Sequence, residues 1–336
     1  MTGPIAISMG DPAGIGPEII AKSWVARRKN ALPPFFAIGE TDAFAALDIG
    51  PVETISDPGE ARGVFSKALP VLPISDGDST VAGNPCVHGA RNALMALEMG
   101  VGLTRSGAAC ALVTGPVSKA RLYAIGFTHS GQTEFVAERC GVSPDNAVMM
   151  LAGPSLRVVP ITTHVPLAQV AELLSVDLLV ARGLATARGL RRNFGIEDPR
   201  LAFAGFNPHA GEQGAIGREE IEHIGPAIEL LKREGVVASG PFAADTMFHA
   251  RARATYDAAL CCYHDQALIP LKTLHFDEGV NITLGLPIVR TSPDHGTAFD
   301  IAGKGIAEPG AMVAAIRMAG EAAARRAKHL APAKCP

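Results

Sequence analysis

The sequence predicts an α/β fold of two domains, and three observations carry that reading. Apolar runs rich in valine, isoleucine and leucine alternate with segments of helical spacing, 36 glycines and 25 prolines punctuate the chain, and 48% of its 336 residues are hydrophobic. Continuous apolar runs suit strands covered on both faces by helices. Frequent glycine and proline imply many short elements joined by tight loops.

The elements follow in order. A first strand, "PIAISM", leads into "GDPAGIGPEI", where Gly10, Gly14 and Gly16 allow close backbone turns before a helix. The spacing is not GxGxxG, and Pro12 and Pro17 remove amide donors that a pyrophosphate would need, so no Rossmann site is expected here. Asp11 is expected to face the cleft between the domains. Further strands are "FFAIG", "ACALVTG", "NAVMML", "LRVVPITT", "RLAFAGF" and "AALCCY". Between them "HGARNALMALEMGVGLTRSG", "VDLLVARGLATARGLRRNFG" and "REEIEHIGPAIELLKREG" have amphipathic helical spacing, each closing near a glycine. The basic, alanine-rich end from Glu321 is expected to be a frayed terminal helix.

Composition excludes several classes. The formal net charge is −3, with no run of lysine or arginine, so nucleic acid is not an expected partner. No apolar stretch approaches the ~20 residues of a membrane span, and the chain opens into a strand without a leader, which points to the cytoplasm. The six cysteines are scattered without CxxC spacing, the pattern of reduced thiols.

Three histidines share a context. His164, His209 and His264 each follow an apolar strand, in "VVPITTHVP", "LAFAGFNPHAGE" and "AALCCYHDQ". Ligand sites of open α/β folds collect at the carboxyl ends of strands, and three imidazoles delivered there can hold a divalent metal and leave one position for substrate. Their separations match no local zinc motif. Asp265, beside His264, and Asp245, in "GPFAADTMF", are acids that can orient a ligand, hold water or transfer a proton. Lys272, Asn281 and Arg290 fall near presumed strand ends, where two cations and an amide can clamp phosphate or carboxylate. The glycine-rich "TSPDHGTAFDIAGKGIAEPGAM" can admit a nucleotide by its backbone.

Taken together, "GDPAGIGPEI", "TGPVSK", "GQTEF", "NPHAGE", "YHDQALIPLK" and "DHGTAFDIAGKG" resemble the 4-hydroxythreonine-4-phosphate dehydrogenases of pyridoxal phosphate biosynthesis, from about Ile5 to the final helix. "HGTAFDIAGKGIAEP" is also similar to the nucleotide loop of isocitrate and isopropylmalate dehydrogenases. The resemblance implies their two-domain fold with the active site in the inter-domain cleft, divided as 1–128 with 285–336 on the nucleotide side and 129–284 for metal, substrate and dimerisation.

It also implies roles. His164, His209 and His264 match ligands of one divalent ion per site (zinc, magnesium or cobalt), one histidine coming from the partner subunit of a homodimer with composite sites. Lys272, Asn281, Arg290 and Thr133 match substrate-binding positions. So does Gln132, although the family usually has histidine there; an amide still hydrogen-bonds but cannot titrate. Asp294, His295, Gly296 and Thr297 fall in the nucleotide loop for NAD or NADP. The implied reaction is oxidation of 4-phosphohydroxy-L-threonine followed by decarboxylation to 3-amino-2-oxopropyl phosphate, with Asp245, Asp265 and Lys272 as candidates for the proton-transferring group. A paralogous dehydrogenase of phosphothreonate or phosphoerythronate shares the same metal and clamp. A non-catalytic, metal-bridged dimeric binding protein shares the metal alone.

Overall fold

Strands form where the apolar runs lie. The computed structural model describes residues 3–74, 79–143 and 146–330. In chain order the strands are β1 (Ile5–Ser8), β2 (Phe35–Gly39), β3 (Val52–Thr54), β4 (Leu69–Pro73), β5 (Ala111–Thr114), β6 (Val148–Ala152), β7 (Arg157–Pro160), β8 (Arg200–Ala204), β9 (Val237–Phe242), β10 (Ala258–Cys261), β11 (Val280–Leu284) and β12 (Arg290–Pro293). The chain divides into two units, residues 1–142 with 286–336, and residues 143–285.

In the first unit the strand order is β3-β4-β2-β1-β5-β12, all parallel. This is not the 3-2-1-4-5-6 order of a Rossmann sheet. Ile5, Ala6, Ile7 and Phe35 through Ile38 have no exposed surface, because helices Val87–Arg105 and Gly310–Leu330 pack on the sheet. Each large side chain so covered contributes roughly 1.5–3 kcal/mol. The order reverses beside β1, whose neighbours are β2 and β5, and loops at such a switch point make a ready ligand site.

The terminal helix departs from expectation as far as residue 330; residues 331–336 of the end expected to fray lie outside the described residues. It runs unbroken over Gly310–Leu330, with Ala322 and Ala323 buried. Arg326 donates from Nη1 to the Pro287 carbonyl at 2.8 Å, which anchors the last turns that composition alone marks as frayed.

In the second unit the order is β11-β6-β7-β10-β8-β9. β6 pairs antiparallel with both β11 and β7, and the remaining pairs are parallel. Helix Val176–Gly189 starts at Ser175, whose Oγ accepts from Leu178 N, a cap worth about 1 kcal/mol. Its five-residue extension, Leu190–Phe194, ends at Gly195 in the left-handed region. Helix His264–His275 leaves the end of β10 and packs on β7 and β10. Lys272 therefore stands on a helix and not at a strand end.

Candidate active site

Three elements of the first unit converge on Arg290. β5 ends in Thr114, the helix Gln132–Arg139 opens with Gln132 and Thr133, and β12 begins with Arg290. Arg290 is 3% exposed. Its Nη2 donates to Thr114 Oγ1 at 2.7 Å and to Gln132 Oε1 at 3.3 Å, and its Nη1 donates to Thr133 Oγ1 at 3.4 Å. Gln132 in turn donates from Nε2 to the Gly115 carbonyl at 3.1 Å, which fixes which end of the amide faces the guanidinium. These three acceptors are neutral. Burial pushes the guanidinium down to about 10, opposed by the nearby Glu134 carboxylate, so an arriving anion would relieve a desolvated cation. The helix N-cap is Gly131, which has no side chain to offer the first-turn amides, and such a helix start favours anions. Thr114 was not singled out from sequence, although it opens "TGPVSK".

The loop after β12 is tied to the loop after β1. Ile15 N donates to the Thr297 carbonyl at 2.9 Å. Gly10, at φ +76°, lies so close to Pro116 that a Cβ would sit 2.3 Å from its carbonyl oxygen, so only glycine fits. Asp11 is buried, and its Oδ1 accepts from Ala13 N at 3.1 Å. Burial raises its carboxyl pKa, against the lowering effect of that hydrogen bond.

On the helix Gly16–Val25 that follows the β1 loop, Glu18 accepts from Gly305 N and Ala307 N, farther along the loop after β12, while Lys22 donates to the carbonyls of Gly305 and Ala307 at 2.8 and 2.7 Å. The two side chains are themselves 2.9 Å apart. Their i,i+4 spacing was legible in "GPEIIAK", but their target was not. Pro12, Gly14, Asp42, Ser79, Thr80 and Gly303 border a hollow of 380 Å³. His295 Nε2 is buried without a hydrogen-bond partner among the described residues, while Nδ1 lies 3.2 Å from the Gly296 carbonyl.

In the second unit His164 and His264 meet, with ring centroids 5.7 Å apart. They border a hollow of 280 Å³ together with Thr162, Thr163, Tyr263 and Asp265. His264 opens its helix directly after β10, and its Nδ1 lies 2.7 Å from Asp265 Oδ1. When Nδ1 carries the proton, Nε2 keeps its lone pair. Lys272 lies on the same helix and shares a second, shallower hollow with His264 and Asp265. Asn281 sits on β11 with a buried Oδ1 that has no hydrogen-bond partner among the described residues. No three His, Cys, Asp or Glu side chains converge to hold a metal among the described residues.

His209 lies elsewhere, in the turn Pro208–Gly214. His209, Ala210, Gly211, Glu212 and Gln213 all have positive φ, from 42° to 77°. For each of the four non-glycine residues this left-handed conformation costs roughly 1–2 kcal/mol. His164 is also left-handed, at φ 45°. Such outliers cluster where function constrains the backbone. The turn Ala244–Thr246, which carries the exposed Asp245, packs against the His209 turn. Glu220, missed from sequence, is 5% exposed and lies against the turn: a Cβ on Gly211 would sit 2.6 Å from its Oε2.

An α/β fold with an arginine buried among hydroxyl and amide groups, and with histidines and acids on the turns and the helix that follow its strands, has the make-up of an enzyme. The profile described as pyridoxal phosphate biosynthetic protein PdxA matches residues 33–319. The chain belongs to this family and is an oxidoreductase. It is 57% identical over 323 residues to the 4-hydroxythreonine-4-phosphate dehydrogenase of Zymomonas mobilis, covering 96% of both chains. It is 56% identical over 329 residues to that of Erythrobacter litoralis, covering 96% of this chain and 98% of the other. A crystal structure of 4-hydroxythreonine-4-phosphate dehydrogenase from Klebsiella pneumoniae superposes with a TM-score of 0.85 at 36% identity, covering 96% of this chain and all of that one. No helix among the described residues is long and apolar enough to cross a membrane.

Proposed function

We propose that the protein oxidises 4-phosphohydroxy-L-threonine with NAD or NADP and releases carbon dioxide and 3-amino-2-oxopropyl phosphate, acting in the cytoplasm as a homodimer. The observation that carries this reading is Arg290, buried among Thr114, Gln132 and Thr133 at the start of a helix. Such a cradle suits a phosphate or carboxylate.

The donor set fits a divalent metal. Two imidazoles with centroids 5.7 Å apart, one held by a carboxylate, are first ligands and outer support of a common kind. Zinc, magnesium and cobalt are the candidate ions. His164 and His264 would hold the ion with a His209 supplied by the partner subunit, so that each site is composite. The bound ion would polarise the substrate hydroxyl and its neighbouring oxygen.

The nucleotide falls to the first unit, where Asp294, His295, Gly296 and Thr297 run beside the loop after β1. A nicotinamide bound there would supply the hydride acceptor for the carbon that bears the hydroxyl. With Nδ1 donating to the Gly296 carbonyl, His295 Nε2, buried and lacking a partner among the described residues, keeps a lone pair that would accept a hydrogen bond from that nucleotide.

The chain's own residues then bind, orient and move protons. Arg290, Gln132 and Thr133 grip the anionic end of the substrate. Asn281 Oδ1, also without a partner among the described residues, accepts a hydrogen bond from the substrate. Lys272, Asp265 or Asp245 removes the hydroxyl proton and later returns one to the carbon that lost carbon dioxide. The β-keto acid between these events loses its carboxylate because its electron pair moves onto the neighbouring ketone.

Purified protein, a divalent ion, NAD and 4-phosphohydroxy-L-threonine should produce reduced nicotinamide, followed by absorbance. Gln132, a neutral amide on the guanidinium, gives weight to a second reading, a dehydrogenase of phosphothreonate or phosphoerythronate. Faster turnover of either would establish it. No reduction with any phosphorylated hydroxy acid would leave a binding protein.

A further inference from the structure

The left-handed turn Pro208–Gly214 keeps six consecutive residues, His209 to Gly214, at positive φ, and short-range bonds such as Ala210 N to the Asn207 carbonyl at 3.1 Å do not remove the cost of that conformation to its non-glycine residues. A buried carboxylate from outside holds its entry at Asn207. Glu220 Oε1 accepts from Asn207 N at 2.7 Å, and Oε2 accepts from Asn207 Nδ2 at 3.0 Å. The same Nδ2 also donates to Glu219 Oε2 at 2.6 Å. Gly205 and Gly211 lie over the Glu220 carboxylate from two sides: a Cβ on either would come within 3.2 Å or 2.6 Å of its oxygens. Gly217 leaves room for the Asn207 amide in the same way. A carboxylate 5% exposed is costly unless hydrogen-bonded, so this arrangement satisfies the acid and pins the entry of the turn in one step.

We propose that Glu220 is a positioning residue that holds the 207–214 turn in its left-handed form and thereby presents the His209 imidazole. This rests on the reading that His209 ligates the metal. Asn207 offers two donors to the two oxygens of Glu220, so both must accept. Glu220→Gln puts an NH₂ against a donor whichever way the amide is flipped, while keeping size and shape.

The experiment uses full-length protein stripped of metal by a chelator. Amide hydrogen exchange across 207–214 is measured first, and zinc affinity is then measured by calorimetry, for the natural chain, Glu220→Gln, His209→Ala and the control Glu222→Gln. Glu222 is an exposed acid of the same segment.

In Glu220→Gln, exchange in the turn should accelerate at least about tenfold with the remaining amides unchanged, and zinc affinity should fall about 10–100-fold. Glu222→Gln should match the natural chain in both. Unchanged exchange in Glu220→Gln overturns the proposal, as does faster exchange with unchanged zinc affinity. If the natural chain and His209→Ala bind zinc equally, the ligand reading fails instead, and the exchange data still decide whether Glu220 holds the turn. Should Glu220→Gln not fold, Gly211→Ala presses on the same oxygen from the other side and should loosen the turn likewise; normal exchange there would overturn the proposal.

Discussion

Thr114 Oγ1 accepts a 2.7 Å hydrogen bond from Arg290 Nη2 across 176 residues of sequence. That bond ties the end of β5 to the start of β12 and holds a buried cation against the first residues of the helix Gln132–Arg139. Thr114, Gln132 and Thr133 orient the guanidinium without themselves carrying charge, which in the proposed function keeps its attraction for an anionic substrate.

Arg290→Lys keeps the charge and loses the planar fork. Loss of one charge-assisted contact is worth roughly 1.5–3 kcal/mol, an approximately ten- to hundredfold fall in kcat/KM. The KM for the phosphorylated substrate should rise while that for NAD stays put. Steady-state kinetics with each substrate varied in turn will check this, and unchanged substrate kinetics would move the clamp to Lys272 and Asn281.

His164→Ala and His209→Ala should each fold, lose metal and lose nearly all turnover, since two imidazoles hold a divalent ion poorly. Mixing the two inactive chains should restore activity through hybrid dimers that contain one intact composite site. Metal analysis and an activity time course after verified subunit exchange provide the test. No recovery would mean that each site is built within one chain.

Lys22 donates to the carbonyls of Gly305 and Ala307, so Lys22→Met should slacken the loop proposed to bind nucleotide. The expected result is a rise of about tenfold in the KM for NAD, from roughly 1.5 kcal/mol of lost charged hydrogen bonding, with kcat kept at saturating NAD. A fall in kcat with unchanged KM would show that this loop serves chemistry and not nucleotide affinity.

Burial raises the Asp11 carboxyl pKa above its ordinary value. A carboxyl raised on folding favours the folded state while protonated, and that contribution is lost as pH climbs from the unfolded value, about 3.9, through the folded one. Asp11→Asn keeps an acceptor for Ala13 N and removes the buried charge. Its melting temperature should exceed that of the natural chain at pH 7, with the difference closing near pH 3. Thermal melts at both values decide it; a lower Tm at pH 7 would mean that the ionised form is held by the fold.

Much of the architecture was legible because it is local. Strands at "IAIS", "FFAIG", "ALVT", "VMMLA" and "RLAFA" follow from short apolar runs bounded by glycine and proline, and the helices Val87–Arg105 and Val176–Gly189 follow from spacing and caps. The helix carrying Lys272 was hidden by Pro270 in its interior, a residue that ordinarily breaks the pattern. β3, β9 and β12 lack the apolar signature of their neighbours and exist because a covered strand stands beside them.

By itself the sequence determined the α/β class, the placement of histidines beside strands and the residues from which a site can be made, since these depend on periodicity and side-chain chemistry along the chain. Tertiary structure alone decided which of them meet. His264 finds His164 a hundred residues away in sequence, Arg326 anchors the terminal helix to the Pro287 carbonyl, and "NPHAGEQG" turns left-handed against Glu220, thirteen residues beyond Asn207. The physical reason is common to all three: a backbone or side chain can be held in a conformation its own residues disfavour only when a partner distant in sequence supplies the hydrogen bonds, and no local pattern encodes that partner.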